Sequence, residues 1–238
     1  MDRKNNSIFQ KILVISIAIF VIVFFIVFFY MKKQNENYQK IKISPNDYLV
    51  YTKYQSDDDL YSVLVPYINI KGEIVEAINQ DIDLFLEEFL FSGYSNISYE
   101  YSINGKILSV IIKVIDYNTD YAPQPYFRGY NINLDTLELI SDESLLEFFD
   151  VNMDFVSTKI SSQLLSYYNE LIEQNYYQEA ECNFSCFLKY RGIDNVLDNI
   201  VFYVKEGKLI AYRPFTFVSI YGEEEYFKDK DFEFIIIE

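Results

Sequence analysis

The chain has 238 residues, half of them hydrophobic, 23 of them tyrosine and none histidine, with a formal net charge of −16. Without an imidazole, Ser-His-Asp and Cys-His catalysis and His-ligated zinc are excluded. The acidity sits in one part: residues 1–42 hold seven Lys/Arg against two acids, a net of +5, which leaves −21 on residues 43–238 and argues against a nucleic-acid binder that neutralises phosphates.

The run ILVISIAIFVIVFFIVFFY, Ile12 to Tyr30, holds 19 residues without a charge, Pro or Gly. As a helix it spans about 28 Å at about 1.5 Å per residue, close to a hydrocarbon core of about 30 Å. A helix satisfies its own backbone where water is absent. Tyr30, Lys32 and Lys33 suit the membrane interface at one end and Lys11 at the other. A cleaved signal peptide has a shorter apolar region followed by small residues, whereas this run ends in FFYMKKQ. The expectation is an uncleaved single-pass anchor that meets the lipid bilayer through residues 12–30. Lys/Arg number three before the span and four soon after it, so charge alone nearly ties. The position of the span as the first to emerge favours residues 1–11 as a short cytoplasmic tail, with the rest outside.

Residues 31–47 read as a polar linker. YLVYTKY (48–54) and LYSVLVPYI (60–68) read as strands split by the turn-like Ser56–Asp59. From Gly72 the period changes, and Ile74, Ile78, Ile82, Phe85 and Phe89 form one stripe of a helix over 73–91. Two strands within 96–117 follow, with Asn104-Gly105 expected as a type I′ turn. Asn118, Asp120, Pro123 and Pro125 then interrupt the pattern before FRGYNINL restores a strand. Ser141-Asp142-Glu143 is a helix N-cap with acids at the positive end of the dipole. A short helix follows, then a longer one over 152–178 with Phe155, Ile160, Leu164, Leu165, Tyr168 and Ile172 on its apolar side. IVFYVK and KLIAYR flank a tight Glu206-Gly207 turn, and PFTFVSIY and DFEFIII close the chain as strands. Strands, helix, strands, helices, strands is the order of an α+β fold with a mainly antiparallel sheet packed with helices.

YINIKGEIVEAINQDI resembles the opening of bacterial extracytoplasmic domains known as DUF4163, and ILSVIIKVIDY with YNINLDTLELISDESLLEFF resembles their continuation. IVFYVKEGKLIAYRPFTFVSIYGEEEYF is similar to the companion domain DUF3298. The resemblance implies a DUF4163-like domain over 48–150 and a DUF3298-like domain over 151–238. These domains accompany each other in the lysozyme-sensing anti-sigma factor and in a membrane-anchored peptidoglycan deacetylase, where they lie outside the membrane. Here the accessory part is expected without their cytoplasmic or catalytic domains. At the Gly-Gly-Ala-His-Pro-like segment of the family this chain has Thr119-Asp120-Tyr121-Ala122-Pro123, which keeps Ala and Pro and lacks the Gly pair and the His.

Cys182 and Cys186 are the only cysteines. Spaced i, i+4 in an exported domain they form either a disulfide on a turn or two free buried thiols. Asp57-Asp58-Asp59 and Glu223-Glu224-Glu225 lack the spacing of a calcium loop and read as solvated loops. No catalytic residue, metal or cofactor stands out. Tyr117, Tyr121, Tyr126 and Tyr130, around the interrupted stretch, are the candidate ligand-binding residues, although tyrosine is also a good strand former. The expected function is a membrane-anchored extracytoplasmic binding or sensing module whose partner is a protein, cationic by charge complementarity, or cell-wall glycan. The alternatives are a carboxylate-dependent cell-wall hydrolase and a structural subunit of a membrane complex.

Overall fold

A computed structural model describes residues 49–57, 60–118, 123–173, 182–215 and 232–238. The predicted span 12–30, the linker, both acidic turns beyond Asp57 and most of the predicted strand 214–221 lie outside these residues. No helix among the described residues is long and apolar enough to cross a membrane. All described residues belong to one unit, Ile41–Glu238.

The fold is α+β and mainly antiparallel. Strands β1 (Val50–Asp57), β2 (Ser62–Ile68), β3 (Ser95–Asn104), β4 (Ile107–Asp116) and β5 (Gln124–Asn133) form a five-stranded sheet in that order. Among the described strands only β2 and β3 run parallel, joined through helix α1 (Glu73–Ser92). After α2 (Asp142–Phe148), α3 (Met153–Glu173) and α4 (Phe184–Tyr190), strands β6 (Val201–Lys205), β7 (Lys208–Tyr212) and β8 (Glu233–Ile237) make a second, three-stranded sheet. Strand β4 is buried without a break from Ile107 to Val114. A strand covered on both faces has no solvent side to carry the usual alternation.

The predicted helix stripes hold at Ile78, Ile82 and Phe89 and at Ile160, Leu164 and Tyr168, and differ at their other positions. Helix α1 buries Val75, Ile78, Ile82, Leu86 and Phe89, and it leaves Ile74 exposed. Helix α3 buries Val156, Ile160, Leu164, Tyr168 and Leu171, with Phe155 and Leu165 exposed. At Val75, Leu86, Val156 and Leu171 the apolar residue next to the expected one takes the core position, because tertiary packing selects among several apolar neighbours. The predicted cap at Ser141 is present: its side chain accepts a hydrogen bond from the Ser144 N–H. Helix α4 has no counterpart among the predicted elements. Asn183 caps it by accepting from the Cys186 N–H.

Of the two hairpins, the first differs from expectation in turn type. Asn104 pairs with Ile107, so Gly105 and Lys106 form the loop; Gly105 has φ 58 and Lys106 is not among the positive-φ residues. A type I′ turn needs positive φ at both loop positions, whereas Gly leading a two-residue loop is the type II′ pattern. The second is as expected: Glu206 and Gly207, with φ 53 and 79, form the tight turn between β6 and β7, of type I′.

The second sheet meets the first through the free edge of β6. Phe202 and Val204 turn their backbone groups away from β7, and side chains of the large sheet receive them. Asn131 donates to the Phe202 carbonyl at 3.0 Å, Ser109 accepts from the Val204 N–H at 3.2 Å, and Asn104 donates to the Val204 carbonyl at 3.0 Å. Asn104 also accepts from the Gly207 N–H at 2.7 Å. The three residues come from β5, β4 and β3, so β6 crosses the large sheet. Where it passes β5, Gly129 leaves room: a Cβ there would stand 2.3 Å from Val201 Cγ1 and 3.2 Å from the Phe202 carbonyl oxygen. On the far side, Phe202, Val204, Leu209 and Ala211 join a core with Leu145, Ile160 and Leu164 of α2 and α3.

Gly129→Ala is therefore expected to destabilise the domain by about 1–3 kcal/mol, the range for overpacking a closed site. Chemical denaturation of the two proteins measures it, and an Ala variant as stable as the parent contradicts the close crossing.

Candidate functional site

Strand β5 organises the main candidate site because its alternate residues serve two different neighbours. The even residues face α1. Tyr126 packs on Phe89 with ring centroids 5.0 Å apart. Arg128 donates to both oxygens of Asp81, from Nε at 3.0 Å and from Nη2 at 2.9 and 2.7 Å. The Tyr130 hydroxyl donates to the same carboxylate at 2.6 Å. The odd residues face the second sheet: Phe127 lies against Tyr212 and Phe232, and Asn131 holds β6 as described.

Two clefts lie along this strand. One, of about 410 Å³, is lined by Asp81, the run Phe127–Asn131, Asp142 and Asn199–Phe202. The other, of about 360 Å³, is lined by Phe85, Pro125, Phe127, Asn199 and Phe215 among others. They share Phe127 and Asn199, so they form successive stretches of one groove. Both volumes fall in the range of small-ligand sites. Asn199 is held at φ 56 on the opposite wall.

The carboxylates of the groove differ in character. Burial pushes Asp81 up, but the hydrogen bonds from Tyr130 and Arg128 and the charge of Arg128 outweigh it, and its carboxyl stays below the ordinary aspartate range. Burial raises the Tyr130 phenol, and the bond to Asp81 raises it further. Asp142, in the first turn of α2, keeps one side in solvent, and the surrounding protein raises its carboxyl. Among the described residues, no Lys or Arg pairs with Asp142.

A second polar cluster lies where the two sheets meet. Glu100 on β3 accepts from Lys113 at 2.7 Å and from Lys205 at 2.8 Å. Lys113 is 7% exposed and its Nζ stands 4.7 Å above the Tyr212 ring, whose hydroxyl donates to Glu233 at 2.9 Å. Burial pushes Glu100 up, and the bonds and charges of both lysines bring it below the usual glutamate range. Beside it, Tyr203 is fully buried and its hydroxyl has no partner among the described residues. The cluster fastens β3, β4, β6 and β7 together, and neither groove stretch is lined by it.

Three of the four predicted tyrosines are among the described residues, and they meet different neighbours. Tyr117 lies beside Tyr61, which also meets Tyr94, at centroid distances of 5.5 and 6.0 Å. Tyr126 and Tyr130 face α1. Tyr121 lies outside the described residues. Asp81 and Arg128 were not singled out in the sequence, yet Arg128 is the only Lys/Arg between Lys113 and Lys159. A lone cation within a strand of an acidic chain is the signal that marks it. Cys182 and Cys186 are joined as a disulfide with Cα atoms 5.3 Å apart, and the Cys182 carbonyl accepts from the Tyr168 hydroxyl at 2.7 Å. Among the described residues, no group of three or more acids and cysteines is arranged to hold a metal. No family model matches the chain, and no curated protein matches it.

Asp81 and Glu100 have folded-state values below their unfolded ones. Their contribution is thus present above the ordinary carboxylate range near pH 4 and is lost as pH falls from there through their folded values. Asp81→Asn is expected to flatten this acid limb and to cost at most about 1 kcal/mol at neutral pH, because Asp81 and Arg128 are both partly exposed. Urea denaturation from pH 2 to 7 reads both effects; an unaltered acid limb contradicts the role given to Asp81.

Proposed function

We propose that the protein is a single-pass membrane protein whose acidic α+β domain lies outside the membrane as a non-catalytic binding or sensing module, of the DUF4163/DUF3298 kind. Its partner is a protein or a cell-wall component. The observation that carries this reading is the uncharged run Ile12–Tyr30 ahead of residues 43–238 with their net −21. The open groove along β5 supports it. One wall carries the Asp81–Arg128–Tyr130 network, whose hydrogen bonds are already made without a ligand. The likeness to extracytoplasmic accessory domains supports it from the sequence side.

Protease treatment of intact cells tests the topology. The domain over residues 43–238 is expected to be digested in intact cells while a cytosolic marker survives. A domain that is digested only after lysis overturns the proposal.

A further inference from the structure

The edges of the two sheets are treated differently, and the difference points to a ligand. At the β6 edge, Asn104, Ser109 and Asn131 occupy the outward backbone groups. At the β8 edge, Gln163 of α3 both accepts from the Ile235 N–H at 3.1 Å and donates to the Ile235 carbonyl at 3.0 Å. Edge strand β1 carries an irregularity between Thr52 and Tyr54, with Lys53 at the break, a usual way to blunt an edge.

Among the described strands β5 is the fourth edge. Its Asn133 N–H donates to the Glu138 carbonyl and its Asn131 carbonyl accepts from the Ile140 N–H. Odd-numbered residues of β5 therefore turn their backbone groups away from β4. By the alternation of an antiparallel ladder, Phe127 and Gly129 do the same. Among the described residues the bridge Ile132–Leu139 closes one end of that side, and no strand pairs with the rest of it. The groove is lined there by five consecutive residues, Phe127 to Asn131, which belong to both faces of the strand. A groove lined by both faces of one strand meets that strand edge-on. The stretch from Pro125 to Asn131 measures about 23 Å at about 3.3 Å per residue.

We infer that the open edge of β5 is a strand-addition site for an extended, basic polypeptide segment. This deepens the proposed binding function and rests on it. A row of N–H and C=O groups at strand spacing is matched by another extended main chain, which supplies the same row in return. Charge complementarity gives the sign of the side chains. Arg128 is held by Asp81, and Arg191, on the second stretch of groove, is fully buried beside Phe187. Asp142 is left facing the groove without a cation among the described residues, in a domain of strong negative charge.

The test uses the full chain in detergent micelles and three end-capped heptapeptides. One alternates Val and Lys, one is the same peptide N-methylated at alternate backbone nitrogens, and one carries Glu in place of Lys. The first is expected to bind, and methylation is expected to weaken it about tenfold or more through the loss of two ladder hydrogen bonds. Asp142→Asn is expected to weaken it about fivefold. Amide hydrogen exchange at Phe127 and Gly129 is expected to slow only with the unmethylated basic peptide. Failure of that peptide to bind, equal binding of its methylated form, or unchanged exchange at Phe127 and Gly129 overturns strand addition. Equal binding of the Glu peptide overturns the basic character of the occupant. A peptide that binds without protecting these amides sinks this inference and leaves the binding module standing, whereas the protease result bears on the proposed topology alone.

Discussion

A strand at the end of a sheet carries backbone groups that must find partners or stay in water, and an orphaned buried one costs about 1–3 kcal/mol. The second sheet of this protein packs its end strand, β6, across the face of the first. That arrangement holds because three short polar side chains from three successive strands stand where the outward groups of Phe202 and Val204 arrive. Ser109 also donates to Asn131 at 2.5 Å, which ties two of the three together. Gly129 is the steric half of the same arrangement, since any side chain there would stand inside Val201. Polar closure and a missing Cβ together let the sheets approach. Neither suffices alone, because the side chains reach β6 only if it comes close, and a close β6 without them would be left with orphaned groups.

The device recurs. Asn79 of α1 is buried and both accepts from the Ile68 N–H and donates to the Ile68 carbonyl, as Gln163 does at Ile235. A carboxamide presents one acceptor and two donors in a plane, so it stands in for a peptide group at the end or edge of a ladder. The charged cluster at the other side of the sheet junction works less cleanly. Lys113 is taken from water and is compensated by Glu100 and the Tyr212 ring, while the Tyr203 hydroxyl is left without a described partner. Such a pair adds little net stability, because the cost of desolvating the charges offsets much of their attraction.

How far the sequence foretold this follows from the range of each signal. Strand and helix positions, the Ser141 cap and the α+β class rest on local periodicity and capping chemistry, and they are legible. The stripe of α1 was off by a residue at Ile74 and Val75 because both are apolar and β-branched, and only the sheet decides between them. The turn at Asn104-Gly105 was misjudged for a similar reason: Asn104 is held in the ladder by its bonds to Val204 and Gly207, residues about a hundred positions away. The site was partly legible through Tyr130. Its partner Asp81 lies 49 residues earlier, and one carboxylate among many carries no local mark. Asn131 and Ser109 read as ordinary strand polar residues, since nothing local shows which face of a doubly covered strand meets another strand's backbone.

The second of the two prolines that interrupt the sequence makes sense on the same terms. Pro125 pairs with Ile115 inside the strand, and it is odd-numbered, so its nitrogen points away from β4 and the ladder loses nothing. On an edge strand that is the position where proline is tolerated. At the other end, Glu138 and Ile140 close the outward groups of Asn133 and Asn131. The open part of the edge is thereby cut to a short window around Phe127 and Gly129, set between groove walls rather than on a flat surface. A long flat edge would invite copies of the chain to pair with one another. A short recessed one restricts pairing to a segment thin enough to enter, so the proline that looks like a defect in the strand narrows what the strand can join.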